Sequence, residues 1–315
     1  TIHEYATGWF ARRSTVDNKG DRLKYEMHLK PLLGHLHPDT VDAAFLKNSF
    51  ILPMKKRLSC TGSVYSGATI RSVLAVLSSM YTDMVEDGIA TSHGPKNLNR
   101  KTRSLLKSDY DPKREEVLRN ASDIGRVFRA LRPGIAQAFA LGAMQGLRPG
   151  EIRGLDWSHV DWTNRNIVVQ QQAHARTGKL TRLKDSDPRA VPILRDFEPI
   201  LRAWHVASGS PKAGLVFRPL KDDTGRFLGI RSMTDELHAA LKSLGLPEIT
   251  WYAATRHSFG TQWVAAGGSP YLLKEFLGHA DFETTQRYIH LAKDFRGVDR
   301  DLIRVDFANA ELKAA

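Results

Sequence analysis

The chain has 315 residues, 42% of them hydrophobic and six of them tryptophan, which is enough for real cores in more than one domain. Its 46 Lys and Arg residues against 34 Asp and Glu give a net charge of +12, which concentrates polyanions and points to nucleic acid as the partner. The single cysteine, Cys60, excludes an intrachain disulfide and a cysteine-based zinc site, and no apolar run reaches the roughly 18 residues that span a membrane. No signal peptide is recognised, so a cytoplasmic location is expected. The chain begins at Thr1 rather than Met, and its beginning is expected to have been removed.

Residues 1–103 read as helical. HEYATGWFARR places Tyr5, Trp9 and Phe10 at helical spacing, and KYEMHLKPLLGHL follows, ending near Gly34. The strongest pattern is SGATIRSVLAVLSSMYTDMVEDG, in which Ile70, Val73, Leu74, Val76, Leu77 and Met80 form one dense apolar face. Ser66 or Thr69 is expected to cap its start, and Gly88 suits its end. The result is a four- or five-helix bundle, with Lys55, Lys56, Arg57 and Arg71 on its polar parts. From 89 to 118 the pattern weakens and basic residues accumulate, as in an interdomain linker. Lys101, Arg103 and Lys107 there are candidates for phosphate contacts.

The second half opens with ASDIGRVFRAL, with a cap expected at Ser122. IAQAFALGAMQG is almost wholly apolar and so buried; Gly146 at its end lets the chain turn sharply and present Arg148. NRNIVVQQQ and RAVPIL read as strands of a small sheet, with Lys184 on the turn leading into the second. Helices follow over LRDFEPILRAWHVAS, SMTDELHAALKSLG, ATRHSFGTQWVAAG, SPYLLKEFLG and ETTQRYIHLA. Ser269 and Pro270 make a cap followed by proline at the first helical position. In LGHADFETTQRYIHL a helix ends at Leu277, the chain turns at Gly278 beside His279, and a second helix carries Thr284, Thr285 and Tyr288. Two guanidinium groups, an ammonium, an imidazole and a phenol are a set able to attack a phosphodiester without a metal.

These segments resemble the phage-integrase family of tyrosine recombinases. Gly146, Leu147, Arg148 and Glu151 match the family's G-L-R-x-x-E segment; Arg256, His257, Ser258 and Phe259 match its second arginine with the following His-Ser/Thr-Phe; Leu277, Gly278, His279 and Tyr288 match its L-G-H-x8-Y. The resemblance is close from about 119 to 292 and holds only in outline before that. It implies a mainly α protein with a small β-sheet: an N-terminal helical core-binding (SAM-like) domain and a mixed α/β tyrosine-recombinase catalytic domain. The expected boundaries are 1–103 for the first domain, 104–118 for a basic linker, 119–298 for the catalytic domain and 299–315 for a C-terminal tail helix.

By that resemblance Tyr288 is the nucleophile, Arg148 and Arg256 fork onto the scissile phosphate, His279 donates to it, and Lys184 protonates the leaving 5′ oxygen. Lys184 is preferred to Lys179 because Arg189, Val191 and Pro192 follow it at the family's spacing. Glu151 and His257 are supporting groups, and His257 is expected to be structural. Lys55, Lys56, Arg57, Arg71, Lys101, Arg103 and Lys107 grip the duplex. One departure stands out: the family carries histidine, lysine or tyrosine three residues before the second arginine, and here that residue is Ala253. The site is expected to work without it, on the two arginines and Lys184; the alternatives are that Tyr252 or His257 substitutes, or that the enzyme is slow or inactive.

The implied activity is site-specific recombination or integration of DNA through a 3′-phosphotyrosine, without metal or other cofactor. The partners are double-stranded DNA recombination sites, further copies of the chain in a homotetramer, and a host DNA-bending protein or an excisionase; no membrane is involved. The source is expected to be a mobile element, bacterial or phage-encoded, with the protein near the nucleoid. The alternatives are a type IB topoisomerase-like enzyme and a catalytically impaired DNA-binding protein with the same fold. In the family the tail passes to a neighbouring protomer, and Leu302, Ile303, Val305, Phe307 and Leu312 give this tail the apolar residues to do so.

Overall fold

The structure, a computed structural model, describes residues 1–13, 18–59, 62–107, 116–174, 178–183, 187–220 and 226–293. The chain divides into two compact units, Thr1–Asp111 and Pro112–Ala315.

The first unit is helical. Helix α1 (Ile2–Arg12) buries Ile2, Ala6, Trp9 and Phe10, spaced as one face of a helix. Helix α2 spans residues 18–33 and is π-wound over Tyr25–Leu29. Helix α3 spans residues 43–56 and is π-wound over Leu46–Ile51. Helix α4 (Gly67–Glu86) buries the apolar face expected of it and adds Tyr81 and Met84. Its cap is Ser66, whose hydroxyl accepts from the Thr69 N–H. Polar anchors fix α1 on α4, because Trp9 Nε1 donates to Asp83 and the Tyr5 hydroxyl to Asp87. A short helix, α5 (Arg100–Ser104), is capped by Asn99, and Leu106 beyond it is buried in this core.

The second unit begins with Leu118, buried in its own core, whose N–H donates to Ser258 Oγ at 2.9 Å. Residues 108–115 of the expected linker lie outside the described residues. Helix α6 (Ala121–Ala130) starts at Asn120, not Ser122, which falls inside the first turn. Helix α7 (Ile135–Gln145) is buried along nearly its whole length and forms the centre of the core, with Trp251 edge-on to Phe139. It ends on Gly146 at φ 71°, a left-handed conformation that costs a non-glycine residue dearly. Helix α8 (Pro149–Arg153) starts three residues later.

The β structure is small and antiparallel. Strands β1 (Val160–Asp161), β2 (Asn166–Val169) and β5 (Arg189–Pro192) form one sheet in the order β1-β2-β5, with Ile167 opposite Val191. Strands β3 (Gln171–Ala173) and β4 (Leu180–Arg182) form a separate pair. The run NRNIVVQQQ is thus two strands in two sheets, broken at Gln170. Five helices complete the unit: α9 (Glu198–Ala207), α10 (Ile230–Ser243), α11 (residues 253–265, π-wound over Ala253–His257), α12 (Pro270–Leu277) and α13 (Glu283–Lys293). Phe259, Val264, Leu273, Leu277, Tyr288 and Ala292 make a second, smaller core among α11, α12 and α13. The expected tail, 299–315, lies outside the described residues. No helix among the described residues is long and apolar enough to cross a membrane.

Candidate active site

Arg148 sits where α7 has ended and α8 begins. Its own N–H donates to Glu151 Oε2 at 2.8 Å and its Nη1 to Glu151 Oε1 at 2.9 Å, while Nη2 donates to the Gly278 carbonyl at 3.0 Å. Glu151 is 1% exposed and accepts a second guanidinium, that of Arg189 on β5, through Nη1 at 3.0 Å and Nη2 at 2.8 Å. Arg189 Nε in turn donates to the Phe276 carbonyl at 2.8 Å. Burial would raise the Glu151 carboxyl, but its bonds to Arg189, with Arg256 and Arg148 near, hold it below the usual carboxylate range. Burial also opposes the charge on Arg148, and Glu151 and Tyr252 beside it more than offset this and raise its pKa. Glu151 is therefore a buried counter-charge held against Arg148. Arg189, given no role from sequence, is its main partner.

Arg256, fully buried, ties the two halves of the site together. It sits in the π-wound turn of α11, a feature frequent at functional sites. Its Nη1 donates to the Gly146 carbonyl at 2.8 Å and its Nη2 to the Leu277 carbonyl at 2.7 Å. One guanidinium thus holds both the turn before Arg148 and the turn before His279. Its Nε is buried and without a hydrogen-bond partner among the described residues. Burial lowers its pKa from the usual arginine value.

His279 and Tyr288 meet behind Arg256. Their rings stack, 6.1 Å apart and 12° from parallel. His279 Nδ1 lies 2.8 Å from Thr285 Oγ1, one turn before Tyr288 on α13. Tyr288 is 1% exposed, and a Cβ built on Gly260 would fall 2.7 Å from its ring, so glycine makes room for it. The Tyr288 hydroxyl lies 3.0 Å from His257 Nδ1. His257, expected to be structural, stands within hydrogen-bond distance of the candidate nucleophile. Burial, then Arg287 and Arg256, push His257 down to about 3. Burial, then Arg256 and Arg148, push His279 to about 3 as well. Both imidazoles are neutral at physiological pH.

Ala253 is buried at the start of the π-wound turn, where it presents only a methyl group. Tyr252 beside it packs edge-on against His257, ring centres 4.8 Å apart, and interacts with both Arg148 and Arg256. Lys184 lies outside the described residues.

The seven candidate DNA-gripping residues are all exposed on the first unit. Lys55 Nζ donates to the Leu105 carbonyl at 2.9 Å, and Arg103 donates to the Lys96 carbonyl at 2.6 Å. Arg103 and Lys107 line a shallow depression with Arg100. The start of α4, which carries Arg71, abuts the Lys107 backbone. Lys56 closes α3, with Arg57 directly after it, and Lys101 lies within α5.

Comparison with known proteins gives the family and the fold. A match to the phage integrase family spans residues 130–294. The tyrosine recombinase XerC of Pseudomonas entomophila (strain L48) is 26% identical over 240 residues, covering 72% of this chain and 70% of that protein. XerC of Yersinia pestis is 25% identical over 285 residues, 88% and 84% of the two chains. Among solved structures, the Tn1549 transposon integrase in complex with circular intermediate DNA aligns over 91% of this chain and 94% of its own at 21% identity, TM-score 0.67. A lambda integrase dimer bound to a COC′ core site aligns over 97% and 99% at 16% identity, TM-score 0.61, and these two share the fold. The class is that of tyrosine-type site-specific recombinases. The chain belongs to the phage integrase family.

Proposed function

We propose that the protein cuts and rejoins double-stranded DNA at specific sites through a 3′-phosphotyrosine on Tyr288. The observation that carries this is the placement of Arg256, which binds the Gly146 and Leu277 carbonyls and so gathers the segments bearing Arg148, His279 and Tyr288 around one point. Its buried, unpartnered Nε–H is a donor that an anionic oxygen would satisfy, and an orphan of this kind costs about 1–3 kcal/mol.

The Tyr288 oxygen, its phenolic proton released to solvent, bonds to phosphorus, the P–O5′ bond breaks with its electron pair going to O5′, and O5′ takes a proton. Lys184 is the proposed donor of that proton. Arg148, Arg256 and His279 stabilise the negative charge on the non-bridging oxygens, the kind of preorganised contribution that is usually the largest. Rejoining is the same step reversed with a new 5′ hydroxyl, so no external energy source is needed. The exposed Lys and Arg residues of the first unit would hold the duplex backbone, giving salt-dependent affinity. The active assembly is proposed to be a homotetramer on two paired sites, and the domain limits 1–103 and 119–298, joined by 104–118, are retained as part of this reading.

A nicked suicide substrate carrying the recognised site tests the reading. Wild-type protein should form an SDS-resistant adduct. Tyr288→Phe should bind the site within a few-fold of wild type and form none. Arg256→Lys, which cannot serve two carbonyls and a phosphate at once, should slow adduct formation by at least about 10²-fold. An adduct persisting in Tyr288→Phe would sink the assignment.

A further inference from the structure

We propose that Arg287 fixes the tautomer of His257, so that His257 donates its Nδ1–H to the hydroxyl oxygen of Tyr288. Arg287 and His257 are then positioning residues for the nucleophile, an inference that rests on Tyr288 being that nucleophile.

Donors and acceptors around the imidazole set its tautomer. Arg287 Nη1 approaches His257 Nε2 at 3.4 Å. A guanidinium has five N–H donors and no acceptor, so Nε2 must supply the lone pair. Burial with Arg287 and Arg256 close by keeps the imidazole neutral, so it carries one proton in all. With Nε2 accepting, that proton is on Nδ1, and Nδ1 faces the Tyr288 oxygen at 3.0 Å. The contact is therefore N–H to oxygen, and the phenolic proton is directed elsewhere.

The sign of the contact matters. A donor to the phenolic oxygen favours the phenolate, the form that attacks phosphorus, whereas an accepting Nδ1 would hold the phenol's proton in place. His257 thus acts on the nucleophile as a fixed dipole and takes no proton from it. The surroundings agree in sign. Arg256 lies on α11 with His257, Tyr252 directly before it, and Arg287 and Thr285 on α13 with Tyr288. His279 and Asp281 lie on the turn between α12 and α13. Arg148 enters from the start of α8 with its charge opposed by Glu151, which Arg189 also binds. Tyr252 meets the imidazole edge-on. Arg287 directly precedes Tyr288 in the chain, so the residue that sets the tautomer and the residue that receives the hydrogen bond move together on one helix.

The decisive measurement is the imidazole ¹⁵N spectrum of the full chain, with the His257 signals assigned by their loss in His257→Gln. Wild-type His257 should have a protonated Nδ1 and a bare Nε2; a protonated Nε2 overturns the proposal. Arg287→Ala should move His257 toward the Nε2–H form, and an unchanged tautomer would remove Arg287 from the account. The kinetic arm follows adduct formation against pH. Arg287→Ala and His257→Ala should shift the alkaline-going midpoint upward by about one unit and slow the reaction near neutrality about tenfold. A purely structural role would lower the rate equally at every pH, which also overturns the proposal. His257→Asn puts an amide N–H near the Nδ1 position and should retain activity within about threefold; its loss would mean that His257 takes the proton. Tyr288→Phe is read separately. If that variant still forms adducts, the nucleophile is misassigned while the tautomer result stands.

Discussion

At the scale of single residues, the site stores its charge against burial. His257 and His279 are 6% and 8% exposed and are both neutral because burial and neighbouring arginines push them to about 3. In the unfolded chain a histidine titrates near 6.5. Their folded values are depressed, so the unfolded state binds protons that the folded state refuses, and stability falls as pH drops from about 6.5 toward about 3. Glu151, also depressed, pulls in the same direction on acidification. Denaturant midpoints measured through this window should fall steadily. In His279→Gln, which keeps a polar side chain and cannot titrate, the decline should be shallower. An equally steep decline would mean that the site histidines do not carry the acid sensitivity.

At the scale of elements, Glu151 joins the start of α8 to β5 and, through Arg189 and the Phe276 carbonyl, to the end of α12. Arg189→Met leaves a buried carboxylate with Arg148 alone, and loss of one partner of such a pair costs about 3–5 kcal/mol. The expected readout is a lower thermal midpoint together with slower adduct formation, because Arg148 loses the fixed partner that orients it. Wild-type stability in this variant would show the pair to be dispensable. The pairing was not legible in the sequence: Glu151 and Arg189 lie 38 positions apart, and nothing local marks them as partners. What the sequence did reveal is what local physics decides. The α4 face, the buried α7, the left-handed stop at Gly146 and the Ser269 cap all follow from spacing and backbone preference. The break at Gln170 escaped, because a β-branched run followed by glutamines reads as one strand wherever the sheets divide. The π-wound turn at Ala253–His257 escaped too. It turns five consecutive side chains inward, where α-helical spacing would have sent some to solvent, and so hid the approach of His257 to Tyr288.

At the scale of the whole molecule, the basic charge and the tail bear on assembly. The second unit carries an apolar cleft of about 570 Å³ lined by residues including Ile124, Phe128, Ala140, Met144, Ile200 and Trp263. Leu302, Ile303, Val305 and Phe307 give the tail apolar side chains, and docking on a neighbouring copy would make cleavage depend on assembly. A chain truncated after Arg300 should bind a single site normally but lose paired-site complexes and most adduct formation. Assembly as efficient as that of the full chain would end the trans-docking idea.

The space left by Gly260 has a consequence for when the enzyme is armed. The Tyr288 ring rests in a slot that no side chain at position 260 could share, inside the small core of α11, α12 and α13. Withdrawing a ring of that size from a core forfeits on the order of 4 kcal/mol. Ordinary packing therefore shields the candidate nucleophile: in free protein fewer than about one molecule in several hundred would hold it out in solvent, a ratio set by that free energy. Phosphodiesters in solution meet a buried phenol, and binding of the recognised duplex is expected to expose its oxygen while the ring keeps its contact with His257. Tyr288 should accordingly resist nitration in the free protein and become reactive when the recognised DNA is added to a cleavage-deficient Arg148→Lys variant.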